Sequence, residues 1–186
     1  MREKLSFDGN WLFHRGDIKP KDPETKGVFY TSAKTERYHM GPAAPGYFAE
    51  ADSYDNRAEH KSERWDCVTL PHDYLIGDVP DPHKNCALGF VSYDNGWYRK
   101  KFTLPAEDNG RRLTLLFEGV ATPATVYLNV CLMKHNFCGY TSFEVDISDV
   151  AKYGEENILA VYVQADEHEA WWYEGAGIYR HVWLIK

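Results

Sequence analysis

The run Trp171-Trp172-Tyr173-Glu174-Gly175-Ala176-Gly177-Ile178-Tyr179-Arg180 concentrates the residues of this chain that could do chemistry. Three consecutive aromatics, then Gly175 and Gly177, then an apolar stretch, describe a tight bend where rings lie beside a closely approaching backbone. Flat ring faces beside a carboxylate suit a sugar, because the rings can rest on its apolar face while Glu174 accepts from a hydroxyl. The same run suits a packed corner that fixes a sheet edge. The residues alone leave both readings open. Adjacent strand residues face opposite ways, so at least one of Trp171 and Trp172 is expected to be partly exposed.

Other chemistries find less support. Retaining glycoside hydrolysis needs only two carboxylates, about 5–5.5 Å apart, and spacing cannot select a pair from 28 Asp and Glu. No GxSxG, P-loop or GxGxxG sequence occurs. Cys67, Cys86, Cys131 and Cys138 form no CxxC pair and no tight group with histidine, and HExxH is absent. No zinc or other metal is assigned, and no cofactor is expected. Free thiols, buried rather than bridged, are expected of a chain this long with no secretory signal. A formal charge of −7 lacks the basic footprint that phosphate backbones require, which excludes nucleic acid as a partner. No run approaches the roughly 18 apolar residues of a membrane span, and Met1-Arg2-Glu3-Lys4 leads into no apolar signal core. The expectation is a cytoplasmic protein without a membrane partner.

The elements that must position the bend are strands. With 186 residues, 44% hydrophobic and 26% charged, the chain suits one globular domain. Aromatics at 15% favour strands and large cores. From residue 97 the pattern alternates with period two. Tyr98, Phe102 and Leu104 share one face, with Arg99, Lys101 and Thr103 on the other. Leu113, Leu115 and Phe117 continue the pattern, as do Ala124, Val126, Leu128 and Val130, and then Phe143, Val145 and Ile147. Residues 158–163 and 178–185 are apolar on both faces and read as central strands. Short strands divided by Gly, Pro, Asn and Asp clusters predict an all-β, antiparallel sandwich. One helical turn is expected at 149–153, capped by Ser148 and stopped by Gly154. Trp11, Leu12 and Phe13 suit an edge strand. Residues 19–64 read as a long ordered loop, too aromatic for a linker (Phe29, Tyr30, Tyr38, Tyr47, Phe48, Tyr54) and suited to packing on a partner.

Taken in order, the motifs resemble the N-terminal domain of glycoside hydrolase family 2, the family of β-galactosidases and β-glucuronidases. The likeness runs over nearly the whole chain. It begins with Phe7-Asp8-Gly9-Asn10-Trp11 and continues through Thr69-Leu70-Pro71-His72-Asp73-Tyr74. Asn95-Gly96-Trp97-Tyr98-Arg99-Lys100-Lys101-Phe102, Phe117-Glu118-Gly119 and Val126-Tyr127-Leu128-Asn129 come next. His135 and Gly139-Tyr140-Thr141-Ser142-Phe143 then precede the bend itself and His181-Val182-Trp183-Leu184.

The resemblance implies a galactose-binding-domain-like jelly roll over 1–186, followed in the family by an immunoglobulin-like sandwich and a TIM barrel that carries the two catalytic glutamates. Nothing here reads as a barrel. The expectation is therefore a domain of a longer retaining O-glycosyl hydrolase, with no catalytic residue of its own; a stand-alone carbohydrate-binding module or a structural, oligomerisation domain is the alternative. Its implied partners are the terminal β-linked sugar and the barrel, and the family's subunit contacts allow a homo-oligomer. Asp94, Asn95, Asp166, Trp171, Trp172 and Glu174 are the substrate-facing candidates. An aspartate that follows the strand at 158–163 in many members is here Gln164, with Asp166 the nearest acid. Some members bind Mg²⁺ or Na⁺, but no ligand set in this segment supports either. His72 and Asp73 are expected to form a buried hydrogen-bonded pair that shapes their loop. At the hairpin after residue 128 the usual Asn-Gly is Asn129-Val130. Valine is poor at positive φ, so a different loop geometry is expected there. If the thiols are free, Cys67, Cys86, Cys131 and Cys138 will all titrate in denaturant without reductant; fewer than four would mean a disulfide.

Overall fold

The computed structural model describes residues 2–17, 41–43, 65–121, 123–165 and 171–186. Most of the 19–64 loop, and Asp166, lie outside these. Among the described residues, ten strands arise where the period-two runs predict most of them: β1 (Lys4–Ser6), β2 (Trp11–Arg15), β3 (Asp66–Val68), β4 (Gly96–Thr103), β5 (Thr114–Phe117), β6 (Ala124–Leu128), β7 (Cys131–Asn136), β8 (Phe143–Asp146), β9 (Glu156–Val163) and β10 (Val182–Ile185). They form a four-stranded sheet, β1-β10-β5-β8, and a six-stranded sheet, β3-β2-β4-β9-β6-β7. Each pairing within the two sheets is antiparallel. The fold is a jelly-roll β-sandwich. Leu115, Phe117, Val145 and Leu184 from one sheet meet Trp11, Tyr98, Val126 and Val161 from the other in one core.

The central pair β4–β9 runs in register from Gly96↔Val163 to Thr103↔Glu156 and is buried on both faces. Its inner face joins the sandwich core. Its outer face carries Trp97 and Ala160, which pack with Tyr127 and Ala43 in a second, smaller cluster. The Arg99 Nε–H donates to the Pro42 carbonyl at 2.8 Å, holding the Gly41–Ala43 turn over this face. Arg99 is thus buried, not on a solvated face as alternation predicts. Lys100 is buried too: its ammonium donates to the Gly9 carbonyl and lies 4.6 Å from the centre of the Phe7 ring. Burial lowers its pKa.

Several local expectations are corrected. β2 is not an edge, since the three-residue β3 lies outside it, and Trp11 is fully buried with its indole N–H donating to Phe7 O. Residues 148–150 make a turn rather than a helix. The Ser148 hydroxyl does not cap: it accepts from Leu113 N–H and donates to the Asp146 carboxylate. The stretch 178–181 stays out of the sheet, so β10 begins only at Val182. Asn129 and Val130 both adopt positive φ, 47° and 67°, between Leu128 and Cys131, which pair directly. This is the two-residue geometry that the Asn-Gly pair ordinarily makes, and valine adopts it because its side chain packs on the second cluster. The hairpin's return strand, β7, was not expected. The cysteines are free, but all four are exposed rather than buried.

Phe117 is fully buried and stacks on Phe143 with ring centres 5.0 Å apart. Phe117→Ala should cost about 3–5 kcal/mol of unfolding free energy, read from urea denaturation; a loss under about 1 kcal/mol would mean this end of the core is not close-packed.

Candidate site at one end of the sandwich

Strand register brings the substrate-facing candidates to one end. Arg15, Gly96, Val163 and Ala124 pair in line across the six-stranded sheet, and Val182, Phe117 and Phe143 across the four-stranded sheet. The loops beyond these ends are tied together through their backbones. His72 N–H donates to Ile178 O at 2.8 Å, Tyr74 N–H to Ala176 O at 3.1 Å, and Ala121 N–H to Gly177 O at 2.9 Å.

The bend has no strand ladder of its own, so side chains satisfy its backbone. Glu174 N–H closes a turn onto Trp171 O at 2.9 Å. The Tyr93 hydroxyl lies 2.9 Å from Trp171 O and 2.6 Å from Glu174 O. One carboxylate oxygen of Asp73 accepts from Leu75 N–H at 3.0 Å and from Ala176 N–H at 3.1 Å. A Cβ at Gly175 would collide with the Asp73 carboxylate, and one at Gly177 (φ 114°) with the Tyr98 hydroxyl and the His72 carbonyl. The two glycines are there because nothing larger fits. Pinned this way, the bend presents its rings to solvent: Trp171 is 53%, Trp172 64% and Tyr173 63% exposed. Both Trp rings are exposed, where alternation requires only one, because the segment is not a strand. Glu174 accepts from the Tyr140 hydroxyl at 2.8 Å. That bond to a carboxylate pushes the Tyr140 hydroxyl up to about 12.

Asp94 and Asn95 lie at the same end and are bonded into it. Arg15 forks onto Asp78 at 2.7 and 2.6 Å, reaches Asp94 with Nε at 3.1 Å, and donates to Ser92 O at 2.9 Å. The bond to Asp78 raises the guanidinium pKa. Asn95 donates to Asp17 at 2.9 Å, and the same Asp17 oxygen accepts from the Tyr162 hydroxyl. His72 and Asp73 do shape the loop, but each through its own partner rather than as a pair. His72 Nδ1 lies 2.7 Å from the Tyr98 hydroxyl. Among the described residues, no group of three or more His, Cys, Asp or Glu gathers as metal ligands would. Sequence reasoning missed Arg15, Tyr93 and Tyr140 as members of this end. Tyr140 stands inside a quoted motif, and Tyr93 immediately precedes Asp94.

A family profile described as glycosyl hydrolase 2 galactose-binding domain-like matches residues 67–176. The chain belongs to this family. It is 32% identical over its full length to a beta-galactosidase of Bacteroides ovatus, covering 18% of that protein. It is 33% identical to a beta-glucuronidase of Formosa agariphila over 98% of the chain and 17% of the relative. Among solved structures, a glycosyl hydrolase family 2 member from Bacteroides cellulosilyticus superposes with a TM-score of 0.68 at 30% identity, over 98% of this chain and 20% of that one. The chain thus spans about a fifth of the length of the relatives it matches.

Burial lowers the His72 pKa and raises that of Tyr98; the Tyr98 hydroxyl lies 2.7 Å from His72 Nδ1 and 3.3 Å from His72 O. A histidine held below its ordinary value of about 6.5 lets the unfolded chain take up a proton first as pH falls. Its contribution to stability is complete above about pH 6.5 and declines below it. His72→Gln removes that decline, so the stability gap between wild type and variant should narrow from pH 7.5 to pH 5.5. An unchanged gap in paired thermal melts would show that His72 is not so constrained.

Proposed function

We propose that this chain is the non-catalytic, sugar-facing domain of a retaining β-glycosidase, in which a barrel elsewhere in the polypeptide supplies the acid/base and nucleophile. The observation that carries this is the exposed Trp171-Trp172-Tyr173 face beside the Glu174–Tyr140 pair, on a domain of the glycosyl hydrolase 2 family. One Glu174 oxygen accepts the hydrogen bond from the Tyr140 hydroxyl, and the other is available to a sugar hydroxyl. Asp94, half-exposed beside Arg15, and Asn95 add polar groups along the same end; Asp166 is assigned on the resemblance alone. The rings and acceptors hold a terminal β-linked sugar in place. That raises rate to the extent that the contact is fully made only in the transition state. Similarity to a beta-galactosidase and a beta-glucuronidase supports a β-glycoside as substrate. Four exposed, unbridged thiols support a reducing, cytoplasmic setting.

The isolated chain should hydrolyse no nitrophenyl β-glycoside above buffer, and turnover that survives repurification would overturn the assignment. Because Trp172 is exposed, Trp172→Ala should cost the isolated domain under about 1 kcal/mol. In the full-length enzyme the same change should lower kcat/KM about tenfold. An unchanged kcat/KM would remove this bend from the substrate site.

A further inference from the structure

An asparagine side chain cyclises most readily onto a following glycine, which puts no side chain in the way of its own backbone nitrogen. The chain has two such pairs, Asn95-Gly96 and Asn109-Gly110, and the fold treats them oppositely. Asn95 is fastened: its side-chain amide donates to Asp17 at 2.9 Å, and its carbonyl accepts from Gly16 N–H at 2.6 Å. Gly96 is buried and paired with Arg15 on one side and Val163 on the other. A Cβ there would lie 2.9 Å from the Phe13 ring and 3.2 Å from the Tyr74 ring. Asn109 and Gly110 are both exposed. They are the central residues of a turn closed by Arg111 N–H onto Asp108 O at 3.0 Å. Asn109 has φ −61° and ψ 129°, and Gly110 has φ 87°, the type II form that favours glycine at its second central position. Among the described residues nothing bonds to the Asn109 side chain, and nothing lies within 4 Å of a Cβ built at Gly110.

The turn is also an anchor. Buried Asp108 accepts from Arg111 at 3.0 Å and from the Lys186 ammonium, and Arg111 reaches Glu3 at 3.3 Å. Glu3 and Lys186, next to β1 and β10, exchange backbone bonds of 3.0 Å each. We propose that Asn109 is a site of spontaneous deamidation, and that the isoaspartate it yields loosens this anchor. The Gly110 nitrogen gives up its proton to solvent and forms a bond to Asn109 Cγ. The bond from Cγ to the side-chain nitrogen breaks, and that nitrogen takes up a proton and leaves as ammonia. Water then opens the cyclic imide at either carbonyl, giving aspartate or isoaspartate. Isoaspartate carries the side-chain methylene into the backbone, which lengthens the link from 109 to 110 and displaces Arg111 N–H from Asp108 O. The attack requires rotation about the Asn109 backbone. An exposed turn allows that rotation, and a residue fastened beside a doubly paired strand does not.

The test ages the 186-residue chain in mildly alkaline buffer and measures the masses of its tryptic peptides. Residues 102–111 carry Asn109, and residues 85–99 carry Asn95. Replacement of the side-chain NH₂ by OH should appear at Asn109 about tenfold faster than at Asn95, and in urea the two rates should converge. Equal rates in the folded chain, no gain at Asn109, or the same ratio in urea would overturn the site. Aged wild type should melt about 2–4 °C lower than fresh protein. An Asn109→Gln variant, whose longer side chain cyclises far more slowly, should keep its Tm through the same treatment. Aged wild type that carries isoaspartate at 109 with an unchanged Tm, or a variant that loses Tm equally, would overturn the loosened anchor.

Discussion

The Asp73 carboxylate occupies the space that a Cβ at position 175 would need. Much at this end of the molecule depends on that contact. It joins the loop leading into β4, a strand of the six-stranded sheet, to the bend leading into β10, a strand of the other sheet. The bend cannot be a strand, because its backbone is turned toward loops instead of toward a neighbour in a ladder. Its polar groups still need partners, and Asp73 and Tyr93 supply them. Bonds from backbone N–H groups to a carboxylate are stronger than those to a neutral acceptor. With its backbone spoken for, the bend has no inward space left for Trp171, Trp172 and Tyr173. Their exposure follows from the glycines beneath them.

Much of the sandwich was legible because core-facing alternation leaves a period-two record, and the antiparallel strands kept it. The failures share a cause. Alternation reports one buried face, and β4 has two: a turn drawn from a distant part of the chain covers the outer side, so Arg99 reads as solvated when it is not. Trp11 looked like an edge because its outer neighbour, β3, is only three residues long and follows a long insertion. Residues 178–185 read together as one apolar strand, but 178–181 includes Arg180 and His181, and the carbonyls of Ile178 and His181 accept from His72 and Glu118, which lie outside the strands. Ser148 has the composition of a cap, but Asp146 and Leu113 compete for its hydroxyl. Val130 breaks the usual preference of its turn, and tertiary packing outweighs that preference.

The site divides along the same line between pattern and partner. That at least one of Trp171 and Trp172 is exposed could be read from residue types, although those types left an exposed face and a packed corner both open. The partners that hold Glu174 and the bend could not. Tyr140 and Glu174 are 34 residues apart, and Tyr93 and Glu174 are 81 apart; only the folded chain brings them together.

The two halves of this rim are physically different. On one side, Arg15 is committed to Asp78, Asp94 and Ser92 O, and Asn95 and Tyr162 to Asp17. That half is a brace, and a ligand using its groups would have to compete with short, charge-assisted bonds. On the other side, the three residues are hydrogen-bonded only through their backbones, and apart from the edge-on contact of Trp172 with Tyr173 their rings stay open to solvent. Binding to side chains that are already fixed loses little conformational entropy, and two-torsion aromatics lose less than long flexible residues. The braced half ties the loops together, and under the function proposed above the open half would meet a sugar with two-torsion rings that have little conformational entropy to lose.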